Sequence, residues 1–264
     1  MKKIVPLCML FIAFVFPKNG QAQFNKNVVI AHRGAWKESS LPENSIASLK
    51  QAIQLGCHGS EFDVHLTKDD SLVVNHDDDF YGTAIASATY KELLVKNLPN
   101  GEKIPTVREY LKEGIKQKGT KLIFEIKTST RKERSLKLTR MSVDLVRELG
   151  AQNWVEYICF DYDVGKLVHK LDSKAKVAYL KGDKTPAQVK RDGYTGLDYN
   201  YKVYKKHPEW IQEAQDLGLT VNAWTVNDRE EMKNLLAQKL DYITTNEPEL
   251  LLDILNENNY RACH

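Results

Sequence analysis

Two histidines in the first third of the chain each follow a short apolar run. The tripeptide His32-Arg33-Gly34 closes the first run, and His76-Asp77 closes a later one. A histidine can exchange a proton near neutral pH, and an arginine can donate two parallel hydrogen bonds to a phosphate or a carboxylate. Each of these groups is also common at ordinary strand ends, so neither predicts a site by itself.

Three carboxylates and a lysine alternate with apolar residues in two further runs. In Glu61-Phe62-Asp63-Val64-His65 the polar side chains share one face of a strand, because successive side chains point to opposite faces. Glu125 and Lys127 alternate in the same way around Ile126. Carboxylates placed together repel each other, and a bound cation removes that conflict. Oxygen ligands favour Ca²⁺ or Mg²⁺ over zinc. Taken alone, Glu125 and Lys127 are also compatible with a buried ion pair.

In combination, these side chains predict metal-assisted cleavage of a phosphodiester. A cation held by the carboxylates, together with the arginine and the lysine, would offset the negative charge of a phosphoryl group. The two histidines would serve as the acid and the base that break the P–O bond. A carboxylate-based glycosidase is an alternative, but it would leave Arg33 and Lys127 without an obvious task.

Two further positions are candidates for substrate contact. Glu43 stands where a helix should begin, and it is placed either to reach the metal or to orient Arg33. Asn44 or Ser45 would then cap that helix. Trp224 ends a late apolar run, where it would form a wall beside a polyol, and a tryptophan in the apolar core is the competing interpretation.

The elements that must position these residues are eight strands that alternate with eight helices. The predicted strands are Val28–His32, Ser60–Leu66, Lys121–Lys127, Val155–Phe160, Lys176–Leu180, Gly196–Tyr199, Leu219–Trp224 and Tyr242–Thr245. The predicted helices are Glu43–Leu55, Thr106–Lys116, Arg131–Leu149, Asp163–Leu171, Pro186–Arg191, Pro208–Leu217, Asp228–Gln238 and Pro248–Asn256. This pattern predicts an α/β fold, a single (β/α)8 TIM barrel, and the count of eight favours it over a doubly wound open sheet. The chemistry-bearing residues then lie at the carboxyl-terminal ends of strands, which is the active face of such barrels.

One connection is unusually long. After a short extra strand at Leu72–His76, the 29 residues Asp77–Pro105 precede the next barrel helix, with a short helix predicted around Tyr90–Lys96. Long loops in compact domains are commonly lids or binding elements. We therefore expect a small insertion after the second barrel strand, beside the active face.

The first 22 residues have the three parts of a secretory signal peptide. Lys2 and Lys3 precede the uncharged run Ile4–Phe16, and Gly20-Gln21-Ala22 supplies small residues for cleavage. We therefore expect residues 1–22 to be removed, residues 23–264 to form one domain, and the product to be periplasmic or secreted, with no stable membrane insertion. Cys57, Cys159 and Cys263 remain, which is too few for a disulfide framework, although one bridge stays open.

The charge balance argues against a nucleic-acid partner. The formal net charge of +3 equals the three lysines of the first 22 residues, a segment without acidic residues, so residues 23–264 are formally neutral. A protein that binds nucleic acid usually carries a basic patch or stripe. The expected partner is a small molecule, and the oligomeric state stays open.

The order of the motifs resembles the glycerophosphodiester phosphodiesterase family. The similar segments, spread over nearly the whole domain, are Ala31-His32-Arg33-Gly34, Leu41-Pro42-Glu43-Asn44-Ser45, Glu61–Asp69, His76-Asp77, Ile104-Pro105-Thr106, Phe124–Lys127, Val221–Asn227 and Asp241–Pro248. The resemblance implies a TIM barrel with an insertion after the second strand. It also implies hydrolysis of a glycerophosphodiester, with the help of Ca²⁺ or Mg²⁺, to glycerol 3-phosphate and an alcohol.

The resemblance also implies a role for each candidate residue. The acid–base pair would be His32 and His76, and the metal ligands would be Glu61, Asp63 and Glu125. Arg33 and Lys127 would hold the phosphate with Glu43 close by, and Trp224 would form the wall beside the glycerol. Which histidine is the acid stays open, as does the attacker, which is either water or the substrate's own glycerol hydroxyl through a cyclic intermediate.

Two positions depart from the family pattern, and two other functions stay open. Cys159 replaces a common serine at a position expected to line the barrel, and Tyr242 replaces a small residue, which predicts a narrower mouth. Lysophospholipase D-like cleavage of a lipid would need an apolar groove, but the insertion has only scattered apolar residues. A non-catalytic exported binding protein is less compatible with an intact histidine pair.

Overall fold

The computed structural model describes residues 24–262, and the side chains as far as residue 257. The predicted signal peptide at residues 1–22 and Cys263 lie outside the described residues. Within residues 24–262, no helix has both the length and the apolar character needed to cross a membrane.

The described residues form a closed barrel of eight parallel strands, which confirms the predicted TIM barrel. The eleven strands are β1 Val29–Ala31, β2 Gly59–Leu66, β3 Leu72–Val74, β4 Asp79–Phe80, β5 Thr83–Ala84, β6 Lys121–Ile126, β7 Val155–Cys159, β8 Val177–Tyr179, β9 Gly196–Asn200, β10 Thr220–Trp224 and β11 Tyr242–Thr245. The ring runs β1-β2-β6-β7-β8-β9-β10-β11 and closes by pairing β11 with β1. Each predicted barrel strand is present, with its ends moved by at most one residue.

The helices pack around this ring. They are α1 Ile46–Leu55, α2 Tyr90–Leu93, α3 Val107–Gly114, α4 Lys132–Glu148, α5 Tyr162–Leu171, α6 Pro186–Arg191, α7 Tyr201–Lys206, α8 Glu209–Asp216, α9 Arg229–Ala237 and α10 Pro248–Ala262. Helix α7 was not predicted, because its six residues are too few to show helical periodicity. Helix α1 begins three residues later than predicted, because Ser45 is the residue that caps it.

The predicted insertion is a small unit with its own core. Strand β3 pairs antiparallel with the end of β2, and a β4–β5 hairpin, a 3₁₀ turn and α2 follow it. Its apolar residues form a cluster separate from the main core, composed of Val73, Phe80, Ile85, Ala88, Leu93, Leu98 and Ile104. The insertion is therefore an ordered element that can hold His76 and Asp77 in place at the barrel mouth.

The ring is incomplete at its carboxyl-terminal edge between β1 and β2. On its β2 side, strand β1 pairs with Gly59 and Ser60 alone, whereas β2 runs on to Leu66 and there pairs with β3. The part of β2 between these two pairings carries Glu61 and Asp63. Buried backbone groups need hydrogen-bond partners. The loop after β1 must therefore supply partners for the backbone of β2 around Glu61 and Asp63.

Alternation along the strands separates two apolar regions. Outward-facing side chains such as Phe62 and Phe124 pack in edge-to-face contact, 4.9 Å between ring centroids, beneath the helices. Inward-facing Ile30, Ile123 and Ile158 form a separate cluster inside the barrel. This cluster lies below the carboxylates, and it closes the bottom of the candidate site.

Two expectations about the departures from the family pattern were wrong. Cys159 alternates with the inward-facing Ile158, so it faces the helix layer and does not line the barrel. Tyr242 is the first residue of β11 and stacks on His58, 4.5 Å between ring centroids, at the amino-terminal end of the barrel. It therefore leaves the mouth at the opposite end unchanged. Cys57 and Cys159 are both buried free thiols.

Candidate active site

Three buried carboxylates meet inside the barrel mouth. Glu61 and Asp63 come from β2 and Glu125 from β6, and one oxygen of each lies within 4.8 Å of the others. Burial and the two neighbouring carboxylates raise the pKa of Glu61 well above its usual range. Burial and Asp63 raise the pKa of Glu125 to about 7. The structure therefore places three acidic groups where water cannot screen the repulsion between their charged forms.

Asp63 differs from its two neighbours, because positive groups surround it. The Lys127 Nζ atom lies 3.1 Å from Oδ1 of Asp63 and 3.1 Å from Oε1 of Glu125. Burial opposes ionisation of Asp63, but Lys127, both histidines and Asn44 lower its pKa below the usual value. The ion pair that the sequence left open is thus real, and it joins Lys127 to two carboxylates.

Asn44 takes the place of a neighbouring strand beside Asp63. The Asp63 backbone N–H donates to Oδ1 of Asn44 at 3.1 Å, and Nδ2 of Asn44 donates to Oδ2 of Asp63 at 2.8 Å. Asn44 adopts the left-handed conformation with φ of 56°, which asparagine tolerates better than most residues. Its side chain therefore fills the gap that the short strand β1 leaves beside β2.

Arg33 connects this gap to two carboxylates, those of Glu61 and Glu43. Its backbone N–H donates to Oε2 of Glu61 at 2.8 Å, and its Nη1 lies 2.9 Å from both carboxylate oxygens of Glu43. Glu43 therefore orients Arg33, which was one of the two roles predicted for it. Gly34 follows with φ of 81°, and a Cβ atom there would lie 2.4 Å from Oγ of Ser48. Only glycine permits this close approach of the loop to α1.

The two histidines are held by different partners at the mouth. Nδ1 of His32 bonds Oδ1 of Asn246 at 2.7 Å, and Nδ1 of His76 bonds Oδ1 of Asp77 at 2.7 Å. Both partners accept, so the Nδ1 atoms carry the protons and the Nε2 atoms face away from these bonds. Burial and the charge of Arg33 lower the pKa of His32 to about 4, so this ring is neutral.

His65 completes the inward face of β2 but does not reach the carboxylates. Its Nε2 atom bonds the backbone oxygen of His76 at 3.1 Å, and burial lowers its pKa. Nδ1 of His65 lies 3.9 Å from the exposed carboxylate of Asp78. His65 therefore attaches the His76 segment to the barrel.

Trp224 lies on the opposite side of the mouth. It packs edge-to-face against Phe160, 5.6 Å between ring centroids, and its Nε1 donates to the backbone oxygen of Asp198 at 2.8 Å. Its ring also packs on the isoleucine cluster inside the barrel and stays partly exposed. One part of the Trp224 ring therefore belongs to the apolar core, and the exposed part can form the predicted wall of the mouth.

The structure brings the nine predicted site residues to one end of the barrel. Asn44 and Asn246 were missed as functional residues, although both stand in the motifs that carry the family resemblance. Their task is to orient Asp63 and His32, and an amide that orients another side chain has no distinctive spacing in sequence. Asp77 was recognised only as a possible orienting group for His76, and the 2.7 Å contact supports that role.

The residues present fit a hard divalent cation. Every ligand atom offered by the triad is a carboxylate oxygen, which suits Ca²⁺ or Mg²⁺. Oε1 of Glu61 is buried and has no hydrogen-bond partner among the described residues, so it is free to bind an ion. Burial and the repulsion between the carboxylates raise the pKa of Glu61 and Glu125, and a positive charge between them would offset both effects.

Comparison with known proteins agrees with the family resemblance of the motifs. A model of the glycerophosphoryl diester phosphodiesterase family matches residues 32–250. The chain is 28% identical over 253 residues to a glycerophosphodiester phosphodiesterase of Caldanaerobacter subterraneus, covering 88% of this chain and 99% of that protein.

Solved structures share the fold. A glycerophosphodiester phosphodiesterase from Parabacteroides distasonis superposes with a TM-score of 0.86 at 43% identity, covering 90% of this chain and 100% of that one. An Oleispira antarctica phosphodiesterase in complex with the product sn-glycerol-3-phosphate has a TM-score of 0.72 at 22% identity, covering 87% of this chain and 97% of that one.

Proposed function

The chain belongs to the glycerophosphoryl diester phosphodiesterase family, and on that premise we propose that it is a metal-dependent enzyme in which His32 and His76 are the acid–base pair. The reaction is hydrolysis of a glycerophosphodiester to glycerol 3-phosphate and an alcohol. One observation carries this proposal: three buried carboxylates converge next to Arg33 and Lys127 at the barrel mouth. That arrangement combines a cation site with a phosphate site.

Arg33 and Lys127 are the groups suited to the phosphate. Arg33 is already fixed by Glu43, so little conformational freedom is lost when it binds. Lys127 stays charged between Asp63 and Glu125, because these two carboxylates outweigh the effect of burial and raise its pKa. A bound Ca²⁺ or Mg²⁺ held by the triad would act as a Lewis acid toward the phosphoryl oxygens.

His32 and His76 would exchange the protons. Asn246 and Asp77 fix the two rings through Nδ1, which leaves each Nε2 available to a substrate oxygen. One ring would deprotonate the attacking oxygen and the other would protonate the leaving alcohol. Trp224 would hold the glycerol, since its partly exposed ring lies across the mouth from the charged groups.

The deciding experiment measures release of glycerol 3-phosphate from glycerophosphocholine by residues 23–264. The assay is run with EDTA, then with added Ca²⁺ or Mg²⁺, and in parallel on His32→Ala. We expect activity that requires the metal and is lost in the variant. No turnover of several glycerophosphodiesters by a folded, metal-loaded protein would contradict the proposal and favour a lipid substrate or a binding role.

Export of the protein is proposed on the sequence alone. The positive start, the uncharged run and the small residues of residues 1–22 support cleavage after Ala22 and release into the periplasm or the medium. Amino-terminal sequencing of the protein recovered from its producing cell tests this. A mature chain that begins at Gln23 is expected, and retention of Met1 would contradict the proposal.

A further inference from the structure

A second cavity enters the barrel from the amino-terminal end, opposite the candidate active site. Its volume is about 300 Å³. Asp198 of β9 and Asn222 of β10 line its inner part, while Lys176 and Lys190 stand exposed at its mouth. The amino-terminal face of a TIM barrel normally contributes to stability, so an open polar cavity there calls for an explanation.

The inner part of the cavity presents two buried oxygens without partners. Asp198 is 2% exposed and Asn222 is 5% exposed, and the Oδ1 atom of each has no hydrogen-bond partner among the described residues. Nδ2 of Asn222 is already used, because it donates to Oγ1 of Thr244 at 2.8 Å. Most buried polar side-chain atoms in proteins are hydrogen-bonded, and leaving one unsatisfied costs free energy. Burial also raises the pKa of Asp198 to about 8, as expected for a carboxyl group without a cation beside it.

The chemistry of the inner part favours an organic ammonium group. Both free atoms accept hydrogen bonds when Asp198 is ionised, and a cation beside this carboxyl group favours the ionised form, so the complementary group donates hydrogen bonds and is positively charged. A bare metal ion fits less well, since Ca²⁺ takes about six to eight oxygen ligands. The walls at this level include Ile30, Ile123 and Ile158, which suit a short aliphatic stem.

The mouth of the cavity favours the opposite charge. Lys176 and Lys190 form no ion pair with any residue between 24 and 257. Glu156 also lines the cavity, but its carboxylate already lies 3.4 Å from Nζ of Lys121. A ligand that reaches from the buried acceptors to the two lysines therefore needs an anionic outer end.

We propose that this cavity binds a small zwitterion, with a primary ammonium group at Asp198 and Asn222 and a carboxylate or phosphate at Lys176 and Lys190. Such a molecule satisfies both buried acceptors, places its methylene groups on the isoleucines and neutralises the exposed lysines. The site is separate from the phosphodiesterase site, and it does not depend on the proposed function.

The test measures binding of 4-aminobutyrate to residues 23–264 by isothermal titration calorimetry. Butyrate and n-butylamine are the matched probes, because each keeps the stem and one of the two charged ends. We expect 4-aminobutyrate to bind most tightly and Asp198→Asn to weaken it by about 10-fold or more, since hydrogen bonds to charged groups are lost. Asp253→Asn makes the same substitution at an exposed residue of α10 that does not line the cavity, and it should change nothing.

A second variant keeps the test valid if Asp198→Asn does not fold. Lys176→Gln with Lys190→Gln changes only exposed side chains, and we expect it to abolish the preference for 4-aminobutyrate over n-butylamine. The proposal is overturned if 4-aminobutyrate does not bind, which would mean a water-filled cavity, or if butyrate binds as tightly. Inhibition of glycerophosphocholine hydrolysis that is competitive would also overturn it, because the ligand would then occupy the active site.

Discussion

The two halves of the barrel mouth carry different kinds of side chain. Strands β1, β2 and β6, with the loop after β1 and the insertion, supply all the charged residues of the candidate site. Across the mouth, Phe160 directly follows β7, Leu180 directly follows β8 and Trp224 ends β10, and these three residues are aromatic or aliphatic. Under the proposed function, the phosphate would bind on the first side and the carbon skeleton of the substrate would lie against the second.

In the charged half, the basic and acidic side chains contact and neutralise one another. Lys127 lies between Asp63 and Glu125, while Arg33 contacts Glu43 with its side chain and Glu61 with its backbone N–H. Buried charges are tolerated only when they are paired or bind ions. Substitutions on this side should therefore reduce turnover strongly, whereas substitutions on the apolar side should mainly weaken substrate binding.

The largest effects are expected from the two histidines. His32→Ala and His76→Ala should each lower kcat for glycerophosphocholine by about 10²–10⁴-fold, the usual contribution of general acid–base catalysis. The measurement is steady-state release of glycerol 3-phosphate at saturating metal. Asn246→Ala should cause a smaller loss, because it removes only the group that orients His32.

A substrate with a better leaving group separates the two roles. In a glycerol phosphodiester of 4-nitrophenol, the leaving group departs as the stable 4-nitrophenolate anion and needs no proton, so this substrate should rescue the variant that lacks the acid and not the one that lacks the base. Rescue of both variants, or of neither, would contradict the assignment of one acid and one base.

The next-largest effect is expected on the metal requirement, for which Glu61 and Asp198 are compared as two buried carboxyl groups in different environments. Glu61→Gln removes a triad ligand and should raise the metal concentration needed for half-maximal activity by at least about 10-fold, since even indirect partners of metal ligands have effects of that size. Asp198→Asn changes a carboxyl group that is equally buried but lies outside the triad, and it should leave this concentration unchanged. Titration of activity against Ca²⁺ and Mg²⁺ measures both. Equal responses of the two variants would mean that general burial, and not metal binding, explains the effect.

The sequence predicted the barrel and its charged half for a clear reason. Strand alternation places Glu61 and Asp63 on one face, and a barrel aims the ends of its parallel strands at one mouth. These are local rules, and they were sufficient to predict the fold and the convergence of the site. The six-residue helix α7 was missed because so short a segment lacks a readable period.

The rest of the site depends on contacts that no local rule describes. Asn44 substitutes for a strand beside Asp63 only because β1 ends early, and that follows from the pairing of the whole ring. Tyr242 was assigned to the wrong end of the barrel, since a residue motif does not show where its strand begins. The unpaired Oδ1 atoms of Asp198 and Asn222 likewise could not be predicted, because only the packing inside the barrel shows that they lack hydrogen-bond partners.

A moderate effect is expected when the guanidinium of Arg33 is replaced. Arg33→Lys keeps the charge and requires the same positive φ of 59°, so it isolates the geometry of the guanidinium. Losing hydrogen bonds to charged groups should lower kcat/KM by about 10-fold. Glu43→Gln should reproduce part of the loss, because it weakens the fixed orientation of Arg33. Arg140→Lys, on the exposed surface of α4, is the matched control, and an equal loss there would contradict a specific role.

The smallest effect is expected from Trp224 on the apolar half. Trp224→Phe keeps an aromatic ring beside Phe160 but loses ring area and the bond from Nε1 to Asp198. KM should rise by about 2–10-fold with little change in kcat, in line with the strength of aromatic contacts. If the ring contacts the glycerol, KM must rise by the same factor for glycerophosphocholine and glycerophosphoethanolamine, because both share that group. A rise confined to one of them would place Trp224 beside the leaving alcohol, and a fall in kcat alone would mean that the two halves do not divide binding and chemistry as proposed.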